Sequence, residues 1–325
     1  MSREERLGYI REIQRLRRCP LLVYLTGDRP YLETKIDDDA LRVLYDHLEL
    51  TGRPEALDLF LYTRGGNTLT PPRLVSLIRE YTSELRVLVP YRCHSAGTLI
   101  CLGANSIVMT RMGELSPIDP ATANEFNPPS PDGSGARLPV SVEDVTAYFR
   151  LAQQKAGVTG PELVRVFEIL AERVHPLALG NVQRTHALIR LLAERMLSLH
   201  LAGEDRAGRI KHIVDSLTEK LYAHRLFLGR REATELGLNV VRPEPELEAA
   251  IWGLYTVYER DLQLDESFRP ERLAGQTQVR FSELGAVVES VPALHGFMFE
   301  GTVLPAPAGG EPRLVPAGHR WRRLE

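Results

Sequence analysis

Cysteine is scarce in this chain of 325 residues, which contains only Cys19, Cys93 and Cys101. They form no CxxC pair, and no histidine spacing typical of zinc sites accompanies them, so the sequence indicates neither a disulfide framework nor a metal site. Charge of one sign is also missing, because 40 Lys and Arg face 43 Asp and Glu. Without a basic excess, we expect no nucleic-acid partner and no anionic membrane surface.

Long apolar runs and nucleotide motifs are absent as well. No stretch of about 18 apolar residues is available to span a bilayer, and the opening residues MSREER lack the pattern of a signal peptide. We therefore expect no membrane span and a cytoplasmic protein. No GxxxxGK[ST] loop occurs, so the unfolding of a large substrate would need a separate ATPase. Any chemistry is expected to use side chains alone, without a cofactor.

Strands alternate with helices through the first third of the chain. This alternation predicts a parallel sheet with βα units, whose strands end at one edge, where the sites of α/β proteins collect. An acidic run, Asp37 to Asp39, is expected to cap the helix that follows it. The predicted buried strands are residues 20 to 25, 57 to 63, 85 to 90 and 106 to 110, with helices at 71 to 82 and 96 to 104.

The pattern changes to helices after a loop rich in Pro, Ser and Gly at residues 124 to 139. A helical segment is predicted at about 141 to 222, and residues 238 to 241 are a candidate strand that returns to the sheet. We therefore predict one domain with an α/β fold over residues 1 to 242. A helix and a small C-terminal β appendage of unknown role are predicted at 243 to 325.

Ser95 is the strongest candidate for chemistry because it lies between a predicted strand and a predicted helix. A serine there is exposed at the sheet edge, and the unpaired N–H groups of the helix point toward negative charge beside it. Acyl transfer also needs two backbone donors for the oxyanion. Gly65 or Gly66, at the end of the neighbouring strand, can supply one donor, and Ala96 the other. Taken singly, the serine can simply cap a helix and the glycines can simply make a turn.

Three motifs carry a family resemblance over about residues 10 to 242. They are YTRGG at residues 62 to 66, PYRCHSAGTLI at 90 to 100 and LSPIDP at 115 to 120. They resemble the Clp-protease and crotonase fold, within it the serine dehydrogenase proteinase family, which is related to signal peptide peptidase A. The chain departs from the family pattern at Arg64, where proline is usual, and at Ser116, where glycine is common.

The resemblance implies a catalytic triad of Ser95, Asp119 and His224, with the histidine as general base. Arg225 follows His224 where relatives often carry Asp. A Ser–Lys dyad, as in signal peptide peptidase A, is the alternative, and it would have to use one of four lysines. His94 is expected to be a wall or packing residue, since neighbouring residues at such a turn project in different directions. The four lysines are Lys35, Lys155, Lys211 and Lys220.

The expected function is that of an ATP-independent serine endopeptidase that forms an acyl-enzyme on Ser95 and acts on a polypeptide. The resemblance also implies a homo-oligomer. Two other functions stay open at this point. One is a catalytically inactive oligomeric scaffold of the same fold, and the other is a crotonase-like enzyme that acts on acyl-CoA.

Overall fold

The computed structural model describes residues 3–118, 121–122, 124–130, 135–220, 227–269, 278–305 and 313–325. Among these residues the strands are β1 (Leu21–Thr26), β2 (Ala56–Tyr62), β3 (Glu84–Val89), β4 (Arg92–Cys93), β5 (Ser106–Met109), β6 (Glu114–Leu115), β7 (Ala121–Thr122), β8 (Val140–Ser141), β9 (Val240–Val241), β10 (Val279–Ser290), β11 (Ala293–Leu304) and β12 (Arg313–Arg323). The α-helices are α1 (Arg3–Arg17), α2 (Asp39–Thr51), α3 (Thr70–Arg79), α4 (Ala96–Leu102), α5 (Val142–Gln154), α6 (Glu162–Arg173), α7 (Pro176–Leu197), α8 (Arg206–Asp215), α9 (Arg230–Glu235) and α10 (Pro245–Asp261).

A parallel sheet forms the centre of the molecule, as predicted. β1, β2, β3, β5 and β9 lie side by side and run in the same direction. The candidate return strand is confirmed, because Val240 pairs with Ile107 of β5. All residues of β1 and β5 are buried, which is typical of strands covered by helices on both faces.

The C-terminal β segment extends this sheet and does not form a separate appendage. β10 pairs antiparallel with β1 from Val23 to Thr26, and β11 and β12 continue outward, so the described strands form one sheet of eight in the order β12-β11-β10-β1-β2-β3-β5-β9. The tail therefore satisfies the open hydrogen-bonding edge of β1, which sequence patterning alone did not reveal.

Two hydrophobic clusters cover the two faces of the sheet. One joins α1 and α10 to the sheet through residues such as Ile10 and Tyr258. The other packs α2, α3, α4 and α7 on the opposite face, with Leu44, Leu74 and Ile189 at its centre. Within the described part of the chain, no helix has both the length and the apolar character to cross a bilayer.

The acidic run before α2 occupies the predicted N-cap and first-turn positions. Asp38 stands at the N-cap position, but its side chain makes no capping hydrogen bond. It accepts instead from the Thr70 hydroxyl at 2.8 Å and pairs with Arg73. The predicted N-cap and first-turn acids are therefore confirmed by position, as Asp38 and Asp39, while the Asp38 side chain contacts α3 and does not bond the N–H groups of α2.

Candidate active site

Ser95 occupies a strained turn between β4 and α4. Its backbone has φ 51° and ψ −109°, a region that residues with a Cβ rarely adopt. The chain enters from the two-residue strand β4, which pairs with β6 at the carboxyl edge of the sheet. Because Ser95 is half-buried and precedes the first turn of α4, the turn presents its hydroxyl at the rim of the sheet edge.

A set of short polar contacts holds this turn in place. The backbone N–H of Ser95 donates to the Ser116 hydroxyl at 2.8 Å. The Thr98 hydroxyl donates to the carbonyl oxygens of Cys93 and Ser116, at 3.1 and 3.0 Å. Ser116, where the family often has glycine, therefore supplies an oxygen that fixes the strained residue. It also occupies the Ser95 N–H, which leaves Ala96 as the next donor along the helix.

The Gly65-Gly66 turn lies directly against Ser95. Gly65 has φ 110°, and a Cβ added to it would lie 2.8 Å from the Ser95 Cβ and 3.3 Å from the Ser95 Oγ. Gly66 has φ 153°, and its Cβ would meet the Ile36 carbonyl oxygen at 2.2 Å. Both positions therefore need glycine, one for contact with the serine and one for contact with the neighbouring backbone.

The hydrogen bonds of the turn show which of the two glycine N–H groups is already used within the protein. The Gly65 N–H donates to the Thr63 hydroxyl at 2.9 Å, and the Thr26 hydroxyl donates to the same oxygen at 2.7 Å. Among the described residues, the Gly66 N–H donates to no protein acceptor. Of the two glycines named from the sequence, Gly66 is thus the better placed to meet an oxyanion.

A partly buried carboxylate, Asp28, ties the glycine turn to the serine turn. It accepts from the Tyr62 hydroxyl at 2.8 Å, from Arg64 at 2.7 Å and from Arg92 at 3.0 Å. Arg64 replaces the usual proline of the family, and its ion pair provides a different restraint on the same turn. The sequence analysis did not identify Asp28, since a single acid 67 positions before Ser95 carries no local signal.

His94 faces a carboxylate on the neighbouring strand. Its Nε2 lies 3.0 Å from the Glu114 Oε1. Burial raises the pKa of the Glu114 carboxyl, while the charges of Arg92 and Arg64 oppose that rise. This partner draws the imidazole toward β6, which is consistent with the wall residue expected from the sequence.

The proposed acid and base, Asp119 and His224, lie outside the described residues. The chain on either side of them is described, and it converges beside Ser116. The Ile118 N–H donates to the Leu217 carbonyl at 3.0 Å. Leu115 and Leu228 exchange backbone hydrogen bonds at 2.9 and 2.8 Å. The described residues that flank the proposed pair therefore meet next to Ser116, the residue that holds Ser95.

The lysines of the alternative dyad give little support where they are described. The side chains of Lys35, Lys155 and Lys211 are exposed, and Lys211 lies 3.5 Å from Asp215. A catalytic lysine needs desolvation to lower its pKa toward neutrality. The side chain of Lys220 lies outside the described residues.

The cysteines near the serine are packed as apolar side chains. Cys93 and Cys101 are buried with their sulfur atoms 3.5 Å apart, and burial raises the pKa of the Cys93 thiol. A thiol in such surroundings is a poor nucleophile. Within the described ranges, no group of three or more His, Cys, Asp or Glu side chains is placed to hold a metal ion.

The stretch that contains these turns matches a known family. Residues 26–144 match the ClpP-like SDH-type serine proteinase family. This match confirms the resemblance predicted from the three motifs, and it includes the glycine turn, Ser95 and Ser116. It supports a serine peptidase at the level of the family and a Clp-protease-like fold for this α/β chain.

Two uncharacterized proteins of Methanocaldococcus jannaschii are similar to this chain. One is 26% identical over 203 residues, which cover 62% of this chain and 59% of the relative. The other is 31% identical over 127 residues, which cover 36% of this chain and 42% of the relative. The matches therefore span less than two thirds of either relative.

Solved structures of proteases show more distant similarity. A serine-to-alanine variant of the 1510-N membrane-bound stomatin-specific protease is 20% identical, covers 64% of this chain and 74% of its own, and has a TM-score of 0.35. A lysine-to-alanine variant of that protease with a substrate peptide is 19% identical, with 69% and 77% covered and a TM-score of 0.37. The ClpP catalytic domain of Plasmodium falciparum is 8% identical, with 75% and 95% covered and a TM-score of 0.35. At these distances no role of a residue is transferred.

Proposed function

We propose that this chain is a serine endopeptidase that cleaves polypeptides through an acyl-enzyme on Ser95. The observation that supports it most is the contact between a strained serine and a glycine that has no room for a side chain. Such a turn exposes a nucleophile, and the glycine lets a substrate carbonyl approach the main chain closely.

In the proposed reaction, the Ser95 Oγ attacks a peptide carbonyl carbon while a general base takes the hydroxyl proton. The oxyanion is bound by the N–H groups of Gly66 and Ala96. The C–N bond then breaks, and the leaving amine receives the proton from the base. Water adds to the ester, the C–O bond to Ser95 breaks, and the carboxylic acid product leaves with the serine restored.

The general base in this proposal is His224, with Asp119 as its acidic partner. Support comes from the backbone contacts that bring residues 115 to 118 beside residues 217 and 228. A base near Ser116 would be near Ser95, because Ser116 accepts a hydrogen bond from the backbone of Ser95.

We further propose that the chain forms a homo-oligomer and that its peptidase activity does not depend on ATP. The helical hairpin of α5 and α6 supports self-association, because α6 has no buried residue and yet carries Val164 and Phe167, which are 60% and 48% exposed. Light scattering after size-exclusion chromatography tests this. A wild-type protein that is monomeric argues against this face as the interface. So does a Phe167→Glu variant whose oligomer has the same mass as that of the wild type.

A fluorophosphonate probe tests the nucleophile. We expect the wild-type protein to be labelled at Ser95 and to cleave a fluorogenic peptide, and we expect Ser95→Ala to lose both while keeping its circular dichroism spectrum. Full retained activity in the folded variant would falsify the assignment. An unlabelled wild type would favour an inactive scaffold, and tight binding of acyl-CoA thioesters without labelling would favour crotonase-like chemistry.

A further inference from the structure

A pocket lies beside the candidate active site, between the segment that leads into α2 and the outer strands β11 and β12. Its volume is about 230 Å³. We call it the acidic–aromatic pocket, because its walls combine carboxylates with aromatic rings. The lining residues used below are Asp37, Asp39, Phe297, Phe299, His319 and Trp321.

The aromatic wall is a connected cluster on two neighbouring strands. The Phe297 ring centroid lies 5.4 Å from that of Trp321 and 5.3 Å from that of His319. The Phe299 and His319 centroids are 5.9 Å apart. Trp321 and both phenylalanines are only partly buried, so ring surface is available to a ligand. Aromatic faces attract cations, and they do so more strongly when the cation is desolvated.

The opposite wall carries an excess of negative charge. Residues 33, 35, 37 and 39 are exposed while 34, 36 and 40 are buried, so the extended segment turns alternate side chains outward. Glu33, Asp37 and Asp39 line the pocket with one cation, Lys35. In the described part of the chain none of these three carboxylates belongs to an ion pair, whereas their neighbour Asp38 pairs with Arg73.

Contacts among the described residues account for only part of the acceptor capacity of these acids. Asp37 accepts from the Asp38 N–H and from Asn67 at 2.8 and 3.1 Å, which accounts for one of its oxygens. Although Asp39 is exposed as a whole residue, partial desolvation of its carboxyl raises the pKa, while a side-chain contact with Trp321 and the nearby His319 oppose that rise. Helix-dipole stabilisation explains an acid in the first turn of α2, but it does not require four rings around it.

The pocket is adjacent to the glycine turn through the backbone. The Ile36 N–H donates to the Gly65 carbonyl at 2.9 Å, and the Asn67 N–H donates to the Ile36 carbonyl at 2.8 Å. Lys35 and Asp37, on either side of Ile36, line the pocket. The pocket therefore lies next to the turn at which the proposed function places a substrate carbonyl.

We propose that the acidic–aromatic pocket binds the cationic side chain of an arginine or lysine in the polypeptide substrate. The part concerning the substrate rests on the proposed peptidase function, while binding of the cation does not. The rings stack against the cation, and Asp37 and Asp39 pair with its charge. The site thus makes a basic residue a specificity determinant near the cleaved bond.

Fluorescence of Trp321 measures the binding without any need for catalysis. The chain has two tryptophans, so Trp252→Phe leaves Trp321 as the only reporter. The probes are the N-acetyl methylamides of arginine, lysine and citrulline, of which citrulline is the neutral analogue of arginine. We expect arginine or lysine to bind at least about tenfold more tightly than citrulline. Equal affinities for all three probes, or no change in Trp321 fluorescence with any of them, overturn the proposal.

Substitutions on the pocket wall sharpen the test. In the same reporter background, Asp39→Asn is expected to weaken binding of the cationic probe about tenfold, because a partly desolvated charge pair is lost. Lys35→Gln is expected to tighten it, since a competing cation is removed. Asp46→Asn, on the same helix but outside the pocket, is the matched control. Unchanged affinity in Asp39→Asn contradicts the assigned carboxylate wall.

A kinetic comparison connects the pocket to the substrate. Paired peptides that differ only by arginine or citrulline are expected to differ in kcat/KM for wild type and to become similar in Asp39→Asn. If Ser95 is not labelled and no peptide is cleaved, the proposed function fails while the fluorescence test still decides on the pocket. If peptides are cleaved without preference for a basic residue, the pocket assignment as a substrate site fails and the peptidase stands.

Discussion

The two halves of the main sheet differ in what surrounds them. β1, β2 and β5 are buried almost throughout, between α1 and α10 on one face and four helices on the other. β12 is exposed along most of its length, and the first half of β10 is only partly covered. The buried half holds backbone groups in fixed places, as an oxyanion site requires. The open half instead presents side chains to solvent, which suits recognition.

The largest expected effect is the loss of activity when the proposed general base is removed. His224→Ala is expected to lower kcat/KM about 1,000-fold, within the range for loss of general base catalysis. Asp119→Asn is expected to lower it as well, and Lys220→Ala to leave it near wild type. With a histidine base, activity of the wild type rises with pH through an apparent pKa near ~6.5.

The pH profile of kcat/KM for these variants separates the two mechanisms. An active His224→Ala enzyme together with an inactive Lys220→Ala enzyme rejects the triad and supports the Ser–Lys dyad.

A buried ion-pair network joins the two halves, and its loss is expected to be the next largest effect. Glu289 of β10 is fully buried, where it accepts from Arg6 at 2.7 Å and from Tyr258 at 2.6 Å. Glu289→Gln removes one of the two carboxylates that pair with Arg6, the other being Asp261, so the free energy of unfolding is expected to fall by about 3 kcal/mol, the lower end for a broken buried pair.

Urea titration monitored by circular dichroism measures this loss. Glu300→Gln is the control, because its partner Arg322 is 37% exposed and such pairs contribute about 0–1 kcal/mol. A similar small loss in both variants indicates that the network does not connect the two halves energetically.

Gly65 tests how tightly the buried half defines the active site. Gly65→Ala is expected to reduce turnover roughly 100-fold, because the new Cβ meets Ser95 and shifts the adjoining Gly66 N–H, and this is the scale for one misplaced oxyanion donor. Gly52→Ala is a matched control with φ 79° and no atom within 4 Å of the added Cβ, so it adds backbone strain without touching the site. Equal activities of the two folded variants place the oxyanion site elsewhere.

The smallest expected effect is a pH dependence of the free energy of unfolding. It arises from a buried histidine pair where α2 packs on the C-terminal strands. His47 of α2 lies 2.9 Å from His295 of β11 and 2.7 Å from the Ser290 hydroxyl. Burial, followed by the neighbouring His295, lowers the pKa of His47 to about 4. Between that value and ~6.5 the unfolded chain binds more protons than the folded one, so stability is full above pH ~6.5 and declines as pH falls.

The decline from His47 is expected to approach ~1.4 kcal/mol per pH unit near the middle of this window, where the unfolded histidine is protonated and the folded one is neutral. Unfolding curves at several pH values measure it. His47→Gln should reduce the slope, while His212→Gln, which changes an exposed side chain, should leave it unchanged. An identical slope in wild type and His47→Gln contradicts the buried-histidine account.

Local pattern determined the βα units of this protein, since buried strands and amphipathic helices leave periodic signals in the sequence. It also indicated Ser95 and the Gly65-Gly66 turn, because strand ends of a parallel sheet meet at one edge. The pairing of β10 with β1 was decided only by the tertiary structure, because the choice of partner for a strand edge depends on residues more than 200 positions apart.

The same reason applies to Ser116, Asp28 and the acidic–aromatic pocket. Ser116 follows Ser95 by 21 positions, and the two walls of the pocket come from residues 33 to 39 and 297 to 321. The local sequence at one site does not predict its contact with the other, because hydrogen bonds and ring contacts across such separations exist only once the sheet has formed. The sequence by itself determined which local segments are strands, helices and tight turns, and the packing of those segments decided which side chains meet.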